Sequence, residues 1–175
     1  MNNAIFCDRD WTINYLPKNQ KFICDEKNVK LLPYAKEWLK NFKKEWFLIV
    51  VITNQTGVWA GYYTKEQSQN VNNKIQELLW FKFDGIYSCY DKPHKNNKCR
   101  KPLPFMVEKA CKDLNIDVKQ SYFVWDKPKD IQTWINANCK WTCLIKWNYD
   151  IEENIGYDFI ADNLLDFYNQ LKRIK

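Results

Sequence analysis

The sequence FLIVVIT, residues 47–53, is an almost uninterrupted apolar run, followed directly by the polar pair Asn54 and Gln55. A run of this length, rich in β-branched residues, predicts a strand that is buried on both faces of a parallel sheet. Helical spacing of apolar residues precedes it in residues 28–45 and follows it in residues 64–81. The run is therefore predicted to be an inner strand of an α/β fold.

The rest of the chain alternates between the same two patterns. Further strands are predicted at residues 4–7, 83–89, 121–126, 141–147 and at the start of 157–174. Further helices are predicted at residues 104–116, 130–139 and in the remainder of 157–174. Thr64 and Gln67 have the spacing of a capping box at a helix start. We expect a Rossmann-like parallel sheet with helices on both faces, in a single domain over residues 1–175.

The composition is that of a globular protein rather than a disordered one. Hydrophobic residues make up 46% of the chain and charged residues 27%, which is enough to build a core. The net charge of +6 is spread along the sequence and is compatible with an anionic substrate or a nucleic acid. No apolar run is long enough to span a bilayer, and the N-terminus lacks a signal-peptide pattern, so we expect a cytoplasmic location and mostly reduced cysteines.

Polar residues follow three of the predicted strands where each strand ends. Asp8 and Asp10 follow the first strand, Thr53 and Asn54 end the run quoted above, and Asp126 ends a third strand. In a parallel α/β sheet these positions meet at the carboxyl edge, where ligands bind. The sequence therefore predicts a site at this edge.

Carboxylates held close together repel each other unless a cation lies between them or one takes a proton. Three of them suit Mg²⁺, which binds carboxylates together with phosphate oxygens. One carboxylate can act as a nucleophile and another as a general acid and base. With Lys101 to neutralise phosphoryl oxygens, the set favours phosphoryl transfer, which depends on positioning and charge stabilisation.

Four motifs occur along the chain in this order: DRDWTIN at residues 8–14, VVITNQTGV at 50–58, CRKP at 99–102 and FVWDKPKD at 123–130. They resemble the four motifs of the haloacid dehalogenase superfamily of phosphatases. The resemblance is strongest to the branch that contains histidinol-phosphate phosphatase and heptose-bisphosphate phosphatase. It extends from Ile5 to the C-terminus, essentially the whole chain.

The resemblance implies the catalytic and metal-binding roles. Asp8 would be the nucleophile that forms an aspartyl-phosphate. Asp10, held by Thr12, would protonate the leaving alcohol and then activate water. Asp126 would bind Mg²⁺ together with Asp8 and the backbone carbonyl of Asp10. Lys127 and Asp130 would support the metal-binding loop. Lys127 would also contact the substrate.

The resemblance also implies the substrate contacts. Thr53 would hydrogen-bond the transferring phosphoryl group, and Lys101 would neutralise charge on that group and on the nucleophile. Asn54 and Gln55 would shape the pocket. Arg100 would reach another part of the substrate, such as a second phosphate, because a guanidinium fork binds two oxygens at once.

Three features depart from the family pattern, and the first is the absence of room for a large cap domain between the motifs. The second is the loop CYDKPHKNNKCRKP, residues 89–102, where members of this branch often bind zinc. It retains Cys89, His94 and Cys99, and Asp91 could supply a fourth ligand, since structural zinc takes four. The alternative is a loop without metal.

The third departure concerns Trp11 and Trp125, at positions that are usually Gly in this branch. Their indoles would either line the mouth of the open site and stack on the substrate, or obstruct the site and weaken the enzyme.

The leading prediction is a Mg²⁺-dependent phosphatase acting on a small phosphorylated metabolite, either a heptose bisphosphate at its 7-phosphate or histidinol phosphate. The first alternative is a polynucleotide 3'-phosphatase, because those enzymes share similar TNQ and RKP patterns. The second is a catalytically weakened binding protein. No membrane partner is expected, and the chain is expected to be a monomer or a homodimer.

Overall fold

The computed structural model describes residues 1–93, 97–127, 130–146 and 156–174, and six strands in this part form one sheet. In chain order the strands are β1 (Ala4–Cys7), β2 (Leu48–Asn54), β3 (Gly85–Cys89), β4 (Tyr122–Trp125), β5 (Trp141–Ile145) and β6 (Phe159–Ala161). Their spatial order is β3-β2-β1-β4-β5-β6, and every neighbouring pair is parallel. The predicted parallel α/β sheet is confirmed, with the apolar run beside the first strand.

Six α-helices are described, and they cover both faces of the sheet. They are α1 (Ala35–Lys44), α2 (Thr56–Trp59), α3 (Lys65–Leu79), α4 (Phe105–Leu114), α5 (Ile131–Ala137) and α6 (Leu164–Ile174). Successive side chains of a strand point to opposite faces, so β1 serves two cores. Ile5 and Cys7 pack with α1, α3 and α6, whereas Ala4 and Phe6 pack with α4 and α5.

No helix among the described residues is long and apolar enough to cross a membrane.

The sequence did not predict α2, a single turn of four residues that directly follows β2 and Gln55. This turn brings Thr56 to the carboxyl edge of the sheet.

Helix α1 begins later than the apolar spacing predicted. Leu31 and Leu32 match the helical period but lie before the helix, which begins at Ala35. Pro33 explains the difference, because its ring disfavours helical geometry at the preceding residue. Leu31 instead forms a bridge with Asn14, which ties this segment to the loop that carries the two aspartates.

Candidate active site

The ends of β1 and β2 open onto one cavity of about 180 Å³ at the carboxyl edge of the sheet. The sequence-predicted residues in its wall are Asp8, Asp10, Thr53, Asn54, Arg100, Lys101, Lys127 and Asp130. Thr12, Gln55 and Asp126 lie outside this wall, and all three are buried. The structure therefore brings most of the predicted set together, as strand order required.

Lys101 is the buried cation of the cavity. Its Nζ lies 2.7 Å from Asp8 Oδ2 and 3.1 Å from Asp130 Oδ2, and its side chain is 1% exposed. Burial acts to lower the pKa of Lys101, but Asp130 and Asp8 raise it above its ordinary value. Burial raises the pKa of Asp8 more than Lys101 lowers it. The lysine is therefore charged and holds the predicted nucleophile in place.

Asn54 fixes the chain that carries Lys101 rather than acting only as a pocket wall. Asn54 Oδ1 accepts from the Lys101 amide at 3.1 Å, and Asn54 Nδ2 donates to the Lys101 carbonyl at 3.3 Å. Asn54 and Lys101 are 47 residues apart in the sequence. It locks the end of β2 to the loop before α4.

Asp126 shows where a cation would bind. It is fully buried, and within the described part of the chain neither carboxylate oxygen has a hydrogen-bond partner. Among the described residues the nearest ammonium is Lys127 Nζ, 3.8 Å from Asp126 Oδ2. Ligand atoms of Asp8, Asp126 and Asp130 lie within 4.8 Å of one another. Such a group of hard oxygen donors, in which the buried Asp126 oxygens accept no hydrogen bond from a described residue, fits a divalent cation such as Mg²⁺.

This group of possible metal ligands contains one residue that the sequence did not predict as a ligand. The sequence placed Asp130 in a supporting role, whereas its carboxylate lies beside Asp8 and Asp126. The carbonyl of Asp10 remains a prediction as a further ligand.

Mg²⁺ affinity is expected to depend on pH. Burial, and then the charge of Asp8, raises the pKa of Asp126 to about 7. Below that pH the carboxyl holds a proton that the cation must displace, so affinity should fall about tenfold from pH 8 to pH 6. Calorimetric titration with Mg²⁺ at both values measures this. Asp126→Asn should remove the pH dependence, and an unchanged affinity in the native protein would contradict the assignment.

The carboxylate of Asp10 is held by other residues than the sequence indicated. Arg9 donates from Nε to Oδ1 and from Nη2 to Oδ2, each at 3.0 Å, and Asn14 Nδ2 donates to Oδ1 at 3.1 Å. Thr12 Oγ1 makes no hydrogen bond to any described residue. Burial alone would raise the pKa of Asp10, but Arg9 holds it below its ordinary value. Support of this carboxylate thus falls to Arg9 and Asn14 rather than to Thr12.

Gln55 lies behind the cavity instead of shaping its surface. It is 1% exposed, its Nε2 donates to Thr53 Oγ1 at 2.9 Å, and its Oε1 accepts from Tyr63 Oη at 2.6 Å. Arg100 does face the cavity, and its Nη1 donates to Thr56 Oγ1 at 2.6 Å. That bond orients the guanidinium without consuming its remaining donors.

Neither role proposed for Trp125 fits its position. Its side chain is fully buried and its Nε1 donates to Thr142 Oγ1, so it belongs to the core under α4 and α5. Trp11 is outside the cavity wall and packs edge-on against Tyr15, with ring centroids 5.9 Å apart. Its φ of 62° is left-handed, which explains why Gly is usual there.

The loop predicted to bind zinc has a different arrangement in the described residues. Cys89 and Cys99 form a disulfide, whose sulfurs carry no thiolate for a metal. Asp91 Oδ2 lies 3.3 Å from Cys99 Sγ, and His94 lies outside the described residues. The other cysteines are free, as the sequence predicted.

Several residues of the site were missed by reasoning from sequence. Leu16, Lys21 and Phe22 line the cavity from the loop after β1, and no sequence signal identified them. Arg9 was identifiable in principle, because a guanidinium stands between the two aspartates in the chain.

Known proteins resemble this chain over most of its length. The sequence model of the family described as polynucleotide kinase 3 phosphatase matches residues 3–150. The chain is 32% identical to D-glycero-beta-D-manno-heptose-1,7-bisphosphate 7-phosphatase of Haemophilus influenzae, with 100% of both chains covered. The Helicobacter pylori protein of the same name is 33% identical over 84% of this chain and 86% of its own length.

The fold is similar to that of a solved structure. D,D-heptose 1,7-bisphosphate phosphatase from B. bronchiseptica, complexed with magnesium and phosphate, has a TM-score of 0.85 over 99% of both chains. The identity between the two sequences is 22%.

Proposed function

Because this chain belongs to the polynucleotide kinase 3 phosphatase family of the haloacid dehalogenase superfamily, we propose that it removes the 7-phosphate from a heptose 1,7-bisphosphate. The observation that carries the proposal is the buried Asp126, which accepts no hydrogen bond from a described residue and has ligand atoms within 4.8 Å of those of Asp8 and Asp130, with Lys101 paired to Asp8. That set suits one phosphoryl group and one divalent cation. The full-length similarity to heptose-bisphosphate phosphatases supports the choice of substrate.

In the first step, an Asp8 carboxylate oxygen attacks phosphorus. The bond from phosphorus to the substrate oxygen breaks, and that oxygen takes a proton from Asp10 as it leaves as an alcohol. Lys101 and Thr53 neutralise and orient the phosphoryl oxygens during transfer. The product of this step is an aspartyl-phosphate on Asp8.

In the second step, water attacks the phosphorus of the aspartyl-phosphate while Asp10 takes a proton from that water. The bond to Asp8 breaks, inorganic phosphate leaves and the carboxylate is restored. Mg²⁺ held by Asp8, Asp126 and Asp130, when bound, supplies positive charge next to the phosphoryl oxygens.

Arg100 and Lys127 would select the rest of the substrate. Both line the cavity beside the phosphoryl pocket, and Arg100 is already oriented by Thr56. A second phosphate on the sugar would be bound by the free donors of the guanidinium. Histidinol phosphate carries no second phosphate, which favours a bisphosphate.

Phosphate release in the presence of Mg²⁺ tests the proposal. The panel is a heptose 1,7-bisphosphate, histidinol phosphate and a 3'-phosphorylated oligonucleotide, with Asp8→Asn as the blank. Turnover of the heptose bisphosphate above the other two supports the proposal. If nothing turns over while Mg²⁺ still binds, the chain is a binding protein and the proposed activity is wrong.

The polynucleotide 3'-phosphatase is the second candidate, favoured by the family description and by the positive charge of the chain. Its binding would engage several phosphates and should weaken steeply with salt, whereas a single phosphomonoester responds less. Measuring KM at two salt concentrations separates the two candidates.

For the loop after β3 we propose that zinc binds the reduced form, through Cys89, Asp91, Cys99 and His94. Ligand atoms of the first three lie within 4.8 Å of one another. Because zinc requires thiolates, zinc and the disulfide exclude each other. Native mass spectrometry after reduction and Zn²⁺ addition should show one bound zinc, which Cys99→Ser should lose. A reduced protein with no added zinc mass would contradict the proposal.

We further propose that residues 1–175 act as one catalytic domain in the cytoplasm, as a monomer or a homodimer. Five of the seven cysteines are free, which is compatible with a reducing compartment, where the Cys89–Cys99 disulfide would be reduced. Sedimentation of the purified protein measures its oligomeric state.

A further inference from the structure

Arg9 is a buried cation that contacts both of the proposed catalytic carboxylates. Its backbone amide donates to Asp8 Oδ1 at 2.7 Å, and its guanidinium donates to both oxygens of Asp10. The side chain is 1% exposed, so it lies behind the cavity and cannot serve as a surface contact for substrate. One residue therefore fixes the nucleophile through its backbone and the acid through its side chain.

The guanidinium also donates to two buried side chains, and a third side chain holds one of these two. Arg9 Nη1 donates to Asn72 Oδ1 at 3.1 Å, and Nη2 donates to Gln55 Oε1 at 2.9 Å. Tyr63 Oη donates to the same Gln55 oxygen at 2.6 Å. Gln55, Tyr63 and Asn72 are all buried. Because the planar guanidinium of Arg9 is fixed in this way, it holds the carboxylate of Asp10 in one orientation.

The Asp10 carboxylate has no acceptor position left in this arrangement. A carboxylate offers about four lone-pair positions, and Oδ1 accepts from Arg9 Nε and Asn14 while Oδ2 accepts from Arg9 Nη2 and Gln55. The contact from Gln55 Nε2 is the longest, at 3.3 Å. A proton on Oδ2 would therefore displace Gln55 and leave both bonds from Arg9 intact.

We propose that Arg9 is a positioning residue that fixes the orientation in which Asp10 delivers its proton to the leaving group. This inference rests on the proposed phosphatase function. As the bond from phosphorus to the substrate oxygen breaks, its electron pair stays on that oxygen, which takes the proton from Asp10 Oδ2. The guanidinium of Arg9 keeps Asp10 Oδ2 in the same orientation while a proton takes the place of the hydrogen bond from Gln55.

The dependence of the rate on the leaving group tests this role. An alkyl phosphate needs a proton on its leaving oxygen, whereas p-nitrophenyl phosphate releases a phenolate that does not. Arg9→Lys keeps the buried charge but loses the fork. Its kcat/KM for the alkyl phosphate should fall about 100-fold, in the range of general-acid contributions, and for p-nitrophenyl phosphate by less than about tenfold. The kcat/KM covers only the steps up to the aspartyl-phosphate, so the water step does not interfere.

Arg173→Lys at the exposed end of α6 is the matched control and should change neither value. Equal losses for both substrates in Arg9→Lys would show a general structural role and overturn the inference. A gain with the alkyl phosphate would also overturn it, since Arg9 would then restrain the acid. A wild-type protein inactive on both substrates would instead refute the proposed function.

A second variant keeps the test decisive if Arg9→Lys fails to fold. Tyr63→Phe removes only the hydroxyl that holds Gln55 and retains the ring. It should lower kcat/KM for the alkyl phosphate about threefold to tenfold, the scale of one hydrogen bond, and leave p-nitrophenyl phosphate unchanged. The same loss with both substrates would contradict the inference.

Discussion

Asp8→Asn is expected to lower phosphate release by about 10⁴-fold or more, the scale on which removing a covalent nucleophile acts. A neutral amide cannot form the aspartyl-phosphate, so the reaction loses its first step rather than a contact. Asn has nearly the same size, and its amide oxygen can still accept from Lys101, which lies 2.7 Å from the present carboxylate. The variant should therefore fold, and single-turnover phosphate release measures the loss.

Asp113→Asn provides the control for this substitution, because it makes the same chemical change on the exposed face of α4, away from the cavity. Turnover in that variant should match the native protein. Substantial phosphate release by Asp8→Asn, at the same rate with independent protein preparations, would mean that Asp8 is not the nucleophile.

Lys101→Met is expected to lower the free energy of unfolding by about 3–5 kcal/mol in the absence of metal, as for other broken buried ion pairs. The substitution leaves Asp8 and Asp130 without the ammonium that lies 2.7 and 3.1 Å from them, next to the buried Asp126. Three neighbouring carboxylates would then repel each other in an environment of low polarity. Urea denaturation measures the change, and Mg²⁺ should restore part of the lost stability by supplying a cation.

Lys109→Met removes an ammonium from an exposed ion pair with Asp113 and makes the matched control. Exposed pairs contribute little, because water and salt screen them. If Lys101→Met destabilises the protein no more than Lys109→Met does, the buried cluster does not depend on Lys101, and the charge balance described for the cavity is wrong.

Reasoning from sequence succeeded where a pattern reports burial directly. The apolar run at residues 47–53 became β2 (Leu48–Asn54), and the alternating helices and strands became a parallel sheet covered on both faces. Asp8, Thr53 and Asp126 are brought to one edge by strand order alone. Hydrophobic periodicity carries this information because each residue's face follows from its place in a helix or strand.

The same periodicity misled where local backbone chemistry competed with it. Leu31 and Leu32 fit a helix, but Pro33 delays the start of α1. Trp125, which adjoins a predicted metal ligand, was predicted either to line the mouth of the site or to obstruct it. It is buried instead, since it is the last residue of β4 and its side chain faces the core under α4 and α5.

The sequence by itself determined the sheet, the strand ends that carry the charged residues and the kind of chemistry that those charges allow. Only the tertiary structure decided which polar groups are paired: Arg9 with Asp10 and Asn72, Lys101 with Asp130, and Asp126 with the ammonium of Lys127 at 3.8 Å but with no hydrogen bond from a described residue. The reason is that burial follows from patterns over a few neighbouring residues. Pairing of buried charges depends on contacts between residues such as Arg9 and Asn72, 63 positions apart, which exist only once the chain has folded.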